Sequence, residues 1–279
     1  MANRGYDKPS RPILERGHGL ASHCVHAMAP WEWGCRATTA LTEHDEVTGV
    51  RGVVDGSIGA VYTNDTSGRM ITAGPSSIDP ISWGGAVQTK AVAGATGTFT
   101  LAVLWKARAA VTDDMILWAK GNSESAANSF GFAIGTANAF WCWTRDGAGS
   151  DEVTDPNAIT VGETYLHVVQ GGGSVVGAGN NVLRLWRNGA RVAQASPGVP
   201  NRPVGNVQST RMFGDSAKTA ATLMDAGISM VALWPTVLPD SAVQQLWTDP
   251  YTMFKRSHDD FMGFDLGVGG QFQNYLLSF

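Results

Sequence analysis

The stretch RDGAGSDEVTDP gathers Asp146, Asp151, Glu152 and Asp155 in one loop-like segment. Oxygen-rich loops suit calcium, which takes carboxylates and carbonyls, and Asp146, Asp151 and Asp155 are the candidate ligands. Their spacing is not that of an EF-hand, and a solvated acidic turn is the simpler reading. A second acidic run, EHDEV, holds Glu43, Asp45 and Glu46. Glycoside hydrolysis needs two carboxylates facing each other across a cleft. In a strand Glu43 and Asp45 share a face and Glu46 takes the other, but the flanks carry no clear apolar alternation.

His23, Cys24 and His26 lie close together, with His18 and Cys35 nearby. These are zinc-ligand types, yet the spacing matches no finger or metalloprotease motif. In a strand His23 and Cys24 point to opposite faces, so packed strand residues are the plainer expectation. His167 lies inside the apolar run ETYLHVVQ, the setting of a satisfied core or interface histidine. The glycine-rich QGGGSVVGAGNN is not followed by Gly-Lys-Ser/Thr, and no Gly-x-Ser-x-Gly occurs. The expectation is a chain with no catalytic set and no cofactor, calcium at the acidic loop being the one metal to consider.

The elements that would position these residues are mostly strands. The 34 glycines and 10 tryptophans, with many Thr and Val, read as short strands punctuated by turns. In TFTLAVLWKAR, Phe99, Leu101, Val103 and Trp105 alternate on one face. DMILWAKGN predicts a second strand, and SFGFAIGTANAFWCWTRDG two more joined at Gly135 to Asn138. In NVLRLWRNGARVAQA, Asn188-Gly189 separates two alternating runs, the strongest hairpin signal in the chain. One helix is expected, Pro239 to Trp247, with Asp240 as its cap and Val243, Leu246 and Trp247 on one face. Most tryptophans alternate with other apolar residues and belong in the core; the remainder could serve as sugar-stacking platforms.

Composition narrows the class. A 279-residue chain with 43% hydrophobic residues can bury a sizeable core. Charged residues are 16% and the net charge is -4, without a basic stripe, so nucleic-acid binding has no electrostatic support. No apolar run reaches the length of a membrane span. The first residues carry Arg, Asp, Lys and Glu where a secretory signal needs an apolar segment, so folding in the cytoplasm is expected. Cys24, Cys35 and Cys142, odd in number, fit reduced thiols.

Strand density without alternating helices argues for an antiparallel two-sheet sandwich, an all-β jelly roll with one short helix near the C-terminus. From Ala95 onward the order of pieces resembles the laminin-G-like, concanavalin A-like family. TFTLAVLWKAR is similar to its FT-x-x-x-W strand. ETYLHVVQ is similar to its W-x-H-V strand, with Tyr165 for the usual Trp and His167-Val168 retained. LRLWRNGARVA resembles its L-Y-V-N-G hairpin, and GISMVALWPTVLPDSAVQQLWTDPYTMF its closing strand and helix. HGLASHCVHAMAPWEWG resembles the family's opening motif as written in phage virion proteins. It departs from that motif at Cys24, where a Trp is usual, and lacks Pro after His18.

The resemblance implies three parts: an N-terminal arm, 1–19; a laminin-G-like jelly-roll domain, 20–254; and an apolar tail, 255–279. It implies a structural virion protein of a bacteriophage, a capsid decoration or cement protein assembled in the host cytoplasm. Its partners would be the major capsid protein or other virion proteins, and it would form a homo-oligomer. The alternatives are a tail or fibre component, or a lectin-like carbohydrate-binding module; a glycan-cleaving enzyme ranks last. The tail is apolar where a disordered one would be polar and charged. Either the tail folds back on its own sandwich, or it docks with the N-terminal arm on neighbouring subunits or the capsid, with Phe261, Phe264, Leu266, Phe272, Tyr275, Leu277 and Phe279 as the interface residues.

Overall fold

The computed structural model describes residues 13–29, 47, 49, 52–54, 61–65, 68–72, 81–83, 98–110, 115–120, 129–135, 138–145, 150–172, 182–195, 210–214 and 226–255. The elements, in chain order, are β1 (Ile13–Leu14), α1 (Gly19–Ser22), β2 (His26–Met28), β3 (Val53–Val54), β4 (Val61–Asp65), β5 (Gly68–Thr72), β6 (Ile81–Ser82), β7 (Phe99–Ala107), β8 (Met115–Lys120), β9 (Ser129–Ile134), β10 (Phe140–Arg145), β11 (Ser150–Thr154), β12 (Thr164–Gly172), β13 (Val182–Arg187), β14 (Ala190–Ala195), β15 (Thr210–Met212), β16 (Ala226–Trp234), α2 (Asp240–Thr248) and β17 (Phe254–Lys255).

They form an antiparallel jelly-roll sandwich. One sheet runs β11-β10-β9-β8-β15-β6-β3, and the other β14-β13-β12-β7-β16-β5-β4, with β2 also on β16. At one side the edge strand β11 packs against β13 and β14, closing the two layers. The main core lies between the sheets. Phe99, Leu101, Val103 and Trp105 of β7 enter it as their alternation predicts, with Phe130 and Phe132 of β9, Phe140 and Cys142 of β10, and Val231 and Leu233 of β16.

Every residue of β16 is buried. Its second face is covered by a smaller core, in which Met230, Ala232 and Trp234 pack with Leu20 of α1, Val243 and Leu246 of α2, and Tyr251, Met253 and Phe254. A strand buried on both faces reads as a continuous apolar run, and this accounts for AGISMVALW. Buried hydrogen bonds fix the cover. Gln170 donates to the Leu238 carbonyl (2.6 Å) and accepts from Trp186 Nε1 (2.9 Å). Trp234 Nε1 donates to the Leu20 carbonyl at 2.7 Å. Each satisfies a polar group that would be costly to bury alone.

The hairpin β13–β14 turns at Asn188 and Gly189, both left-handed with φ 53° and 80°. That is the conformation Asn-Gly favours in a two-residue turn. The helix is found at Asp240–Thr248, and two details differ from expectation. Pro239 holds the cap position and no side chain caps the helix, so Asp240 lies in the first turn instead. Trp247 is only half-buried, because it leans on the hairpin: a Cβ on Gly189 would lie 2.8 Å from its ring. The four-residue α1 was not expected. It forms where His18 accepts from the Leu20 amide at 3.3 Å, so His23 and Cys24 precede the strand rather than lie in it. Ile13–Leu14, assigned by sequence to the arm, pair with Phe254–Lys255. Among the described residues no helix is long and apolar enough to cross a membrane.

Candidate functional site

The chemistry-bearing side chains fall in two places. The first is a buried chain of polar groups. Trp105 of β7 and His167 of β12 point into the core, since Val103 and Trp105 pair with His167 and Tyr165 across the two strands. Trp105 Nε1 donates to His167 Nδ1 at 3.0 Å. Nδ1 is thus an acceptor, which places the proton on Nε2. Nε2 lies 3.1 Å from Asp155 Oδ2, so His167 donates to the carboxylate. Arg187 donates to the same oxygen at 3.2 Å, while Asp155 Oδ1 accepts from the Asn157 amide (2.9 Å) and side chain (3.0 Å).

Both His167 and Asp155 side chains are 0% exposed. The imidazole stacks on Phe140, with centroids 3.7 Å apart and planes within 5°. Arg187 lies over the Tyr165 ring at 4.5 Å and donates to the Asn157 and Ala158 carbonyls. Burial, only partly opposed by the Asp155 hydrogen bond, lowers the His167 pKa to about 4. Burial also works to raise the Asp155 pKa, but hydrogen bonds from His167 and Asn157 prevail and hold it at about 2. At neutral pH the pair is a neutral imidazole and a carboxylate balanced by Arg187. It anchors the segment after β11 to β7, β12 and β13; both imidazole nitrogens are engaged inside the core.

The second place is the outer face of the seven-stranded sheet. Alternation in FWCWTR sends Phe140 and Cys142 into the core and Trp141 and Trp143 outward. Across the strands one row reads Thr154–Trp141–Ala133–Ile116, and the next Glu152–Trp143–Gly131–Ala119. Small residues on β9 let the indoles lie on the strand: a Cβ on Gly131 would be 2.7 Å from the Trp143 ring. Trp143 Nε1 donates to Ser129 Oγ at 3.2 Å and the residue is buried. Trp141, 5.1 Å away between centroids, is half-buried, and its strand neighbours Glu152 and Thr154 are exposed. The arrangement leaves one half-buried indole, Trp141, at the surface, with a carboxylate and a hydroxyl beside it.

The three candidate calcium ligands are not gathered into one site by the described residues. Asp146 lies outside them. Asp151 pairs with Thr144 in the β10–β11 ladder. All the lone-pair directions of Asp155 are taken by protein donors, which leaves no oxygen free for a cation. Among the described residues no group of three His, Cys, Asp or Glu is placed to hold a metal. His18 caps α1 and His26 lies in the core between Trp83 and Trp118, so this histidine pair is divided. Burial raises the Cys142 pKa, making a poor nucleophile of it. Glu43, Asp45 and Glu46, Cys35, and the interface candidates Phe261, Phe264, Leu266, Phe272, Tyr275, Leu277 and Phe279 lie outside the described residues. Sequence reasoning missed the Asp155–His167 pair and the outward tryptophans. Only the latter left a signal, the alternating Trp-Cys-Trp.

No protein-family profile matches the chain, and no curated protein matches it. Its fold is similar to that of solved structures. The binding domain of Paraclostridial Mosquitocidal Protein 1 matches with a TM-score of 0.60 and 10% identity, over 82% of this chain and 52% of that one. The botulinum neurotoxin serotype G binding domain matches with a TM-score of 0.56 and 9% identity, over 81% and 50%. Trypanosoma rangeli sialidase matches with a TM-score of 0.56 and 12% identity, over 88% and 36%. The chain thus spans about half the length of the two toxin domains and about a third of the sialidase. At such identities the likeness establishes the jelly-roll fold.

Proposed function

We propose that the chain is a non-catalytic binding module that recognises carbohydrate on the outer face of the seven-stranded sheet, with Trp141 as the stacking platform. The observation that carries this reading is the Trp141–Trp143 pair, laid over the small residues of β9 and bordered by Glu152 and Thr154. A sugar ring has an apolar face that gains by leaving water against an indole, and hydroxyls that need acceptors and donors at the rim. Trp143, buried and tied to Ser129, holds the platform rigid. Binding domains with the same sandwich support the reading at the level of fold alone.

A glycan array probed with the full chain tests it. A defined set of glycans should bind, and Trp141→Ala should lose them while still melting as a folded domain above the assay temperature. Retention of every glycan by the variant would overturn the reading.

The second reading is a structural virion protein, a capsid decoration protein or a tail component, and it rests on the motif order and on the phage-like stretch HGLASHCVHAMAPWEWG. A lectin-like sandwich can serve in a particle, so the two readings are compatible. Mass spectrometry of purified particles separates the roles: abundance near that of the major capsid protein means decoration, a few copies mean a tail part, and absence refutes a virion role.

A further inference from the structure

The surface at Trp141 is closed in one direction along β10 and open in the other. The next outward residue on one side is Trp143, which is 1% exposed, so the platform does not continue that way. On the other side the margin runs on into residues 155–159. The Asp155 amide donates to the Phe140 carbonyl and the Ile159 amide to the Asn138 carbonyl, both at 2.8 Å. Between these two bonds Pro156, Asn157 and Ala158 bow out as an arch, and all three are exposed. Thr154 is the strand partner of Trp141, and Asn157, three residues on, stands no more than about 10 Å from it along the chain.

The arch is held from beneath by the buried charges. Asp155 Oδ1 accepts from the amide and from the side chain of Asn157, and Arg187 donates to the Asn157 and Ala158 carbonyls. Asp155 is itself fixed by His167 and Arg187. A fully buried carboxylate and imidazole thus fix a short run of exposed residues that add nothing to the core. Surface loops ordinarily move; a loop pinned in this way loses little entropy when a ligand settles on it. The Asn157 carboxamide gives one N–H to Asp155. Its second N–H and its oxygen have no partner among the described residues, and they are the donor and acceptor that neighbouring sugar hydroxyls match.

We propose that the arch is the second half of the carbohydrate site, so that the ligand class is an oligosaccharide, with its terminal ring on Trp141 and the hydroxyls of its second ring on Asn157. The closed side at Trp143 sets the terminal ring, and the open side leads the rest of the glycan over the arch. Asn157 selects the second ring, and Asp155, which holds Asn157, is a positioning residue. This inference rests on the reading of Trp141 as a stacking platform.

NMR titration of the full chain with paired probes tests it: galactose with lactose, glucose with maltose and cellobiose, and N-acetylglucosamine with chitobiose. In at least one pair the disaccharide should bind roughly tenfold or more tighter than its monosaccharide. Asn157→Ala should cut that advantage to about twofold or less, whereas Trp141→Ala should weaken both members of the pair. Asp155→Asn should also shrink the ratio, a change that loss of stability alone does not produce. Asn157 is exposed, so its variant decides the question even where Asp155→Asn fails to fold. A panel in which no disaccharide binds more tightly than its monosaccharide would overturn the inference, and so would an undiminished advantage in Asn157→Ala. If Trp141→Ala still weakens the monosaccharide in either case, the stacking platform stands without the arch. Binding indifferent to both substitutions would overturn the two readings together.

Discussion

At the scale of single residues, the Trp105–His167–Asp155–Arg187 chain sets how the protein responds to acid. The ordinary histidine pKa is 6.5 and that of His167 in the fold is about 4. As pH falls below 6.5 the unfolded chain takes up a proton that the folded chain refuses. Stability therefore declines between 6.5 and 4, by roughly 3 kcal/mol in total. Asp155 extends the decline: its folded pKa of about 2 lies below the ordinary 3.8, so its contribution fades as pH drops through that interval. Thermal melts from pH 7 to 4 should record the loss. His167→Gln, which keeps a donor toward Asp155, should be less stable than wild type at pH 7 yet flatter across the window. An equally steep profile in that variant would show that another group is responsible. Asp155→Asn should cost about 2–4 kcal/mol at pH 7, because it leaves Arg187 without its charge partner, and chemical denaturation measures it. His167 was legible in sequence as a core histidine from its apolar flanks. Its partner was not: Asp155 stands among acidic loop residues, and only the chain's return beside β10 turns it inward, where the Asp155 amide donates to the Phe140 carbonyl at 2.8 Å.

At the scale of elements, period-two alternation made β7 readable and Asn188-Gly189 made the β13–β14 turn readable, since both are local signals. Residues that owe their state to distant contacts were harder. Trp247 has the spacing of a fully buried helix residue, but it rests against the hairpin tip and stays half-buried. α1 depends on a single histidine cap and on burial under Trp234, neither of which is written in its own four residues. The contact between hairpin and helix makes Gly189 doubly constrained, by its positive φ and by the Trp247 ring 2.8 Å from where a Cβ would be. Gly189→Val should destabilise by about 1–3 kcal/mol. Gly189→Ala should cost less than Val but more than zero. An unchanged melting temperature for Val would mean that neither constraint operates.

At the scale of the whole molecule, the fold is a sandwich in which each sheet treats its outer face differently. The eight-stranded sheet hides its outer face beneath α1, α2 and the segment 251–254, so its central strands are apolar on both sides. The seven-stranded sheet has no such cover from the described helices, yet Ile116, Ala119, Ala133 and Trp143 of its outer face are buried, and only the β10–β11 margin is open, with Trp141 half-buried and Glu152 and Thr154 exposed. The sequence foretold two sheets and a closing helix but could not tell the faces apart. In FWCWTR both alternating sets are apolar, so periodicity alone does not say which one meets the core. That ambiguity hid the surface on which the functional reading depends. The most direct test is calorimetric titration of the full chain with a glycan selected on the array, beside Trp141→Ala and Trp143→Phe. The account predicts that Trp141→Ala weakens binding by roughly tenfold or more in a variant that stays folded at the titration temperature. Trp143→Phe, which removes the hydrogen bond to Ser129 beneath the platform, should weaken it less. Equal affinity in wild type and Trp141→Ala would contradict the account.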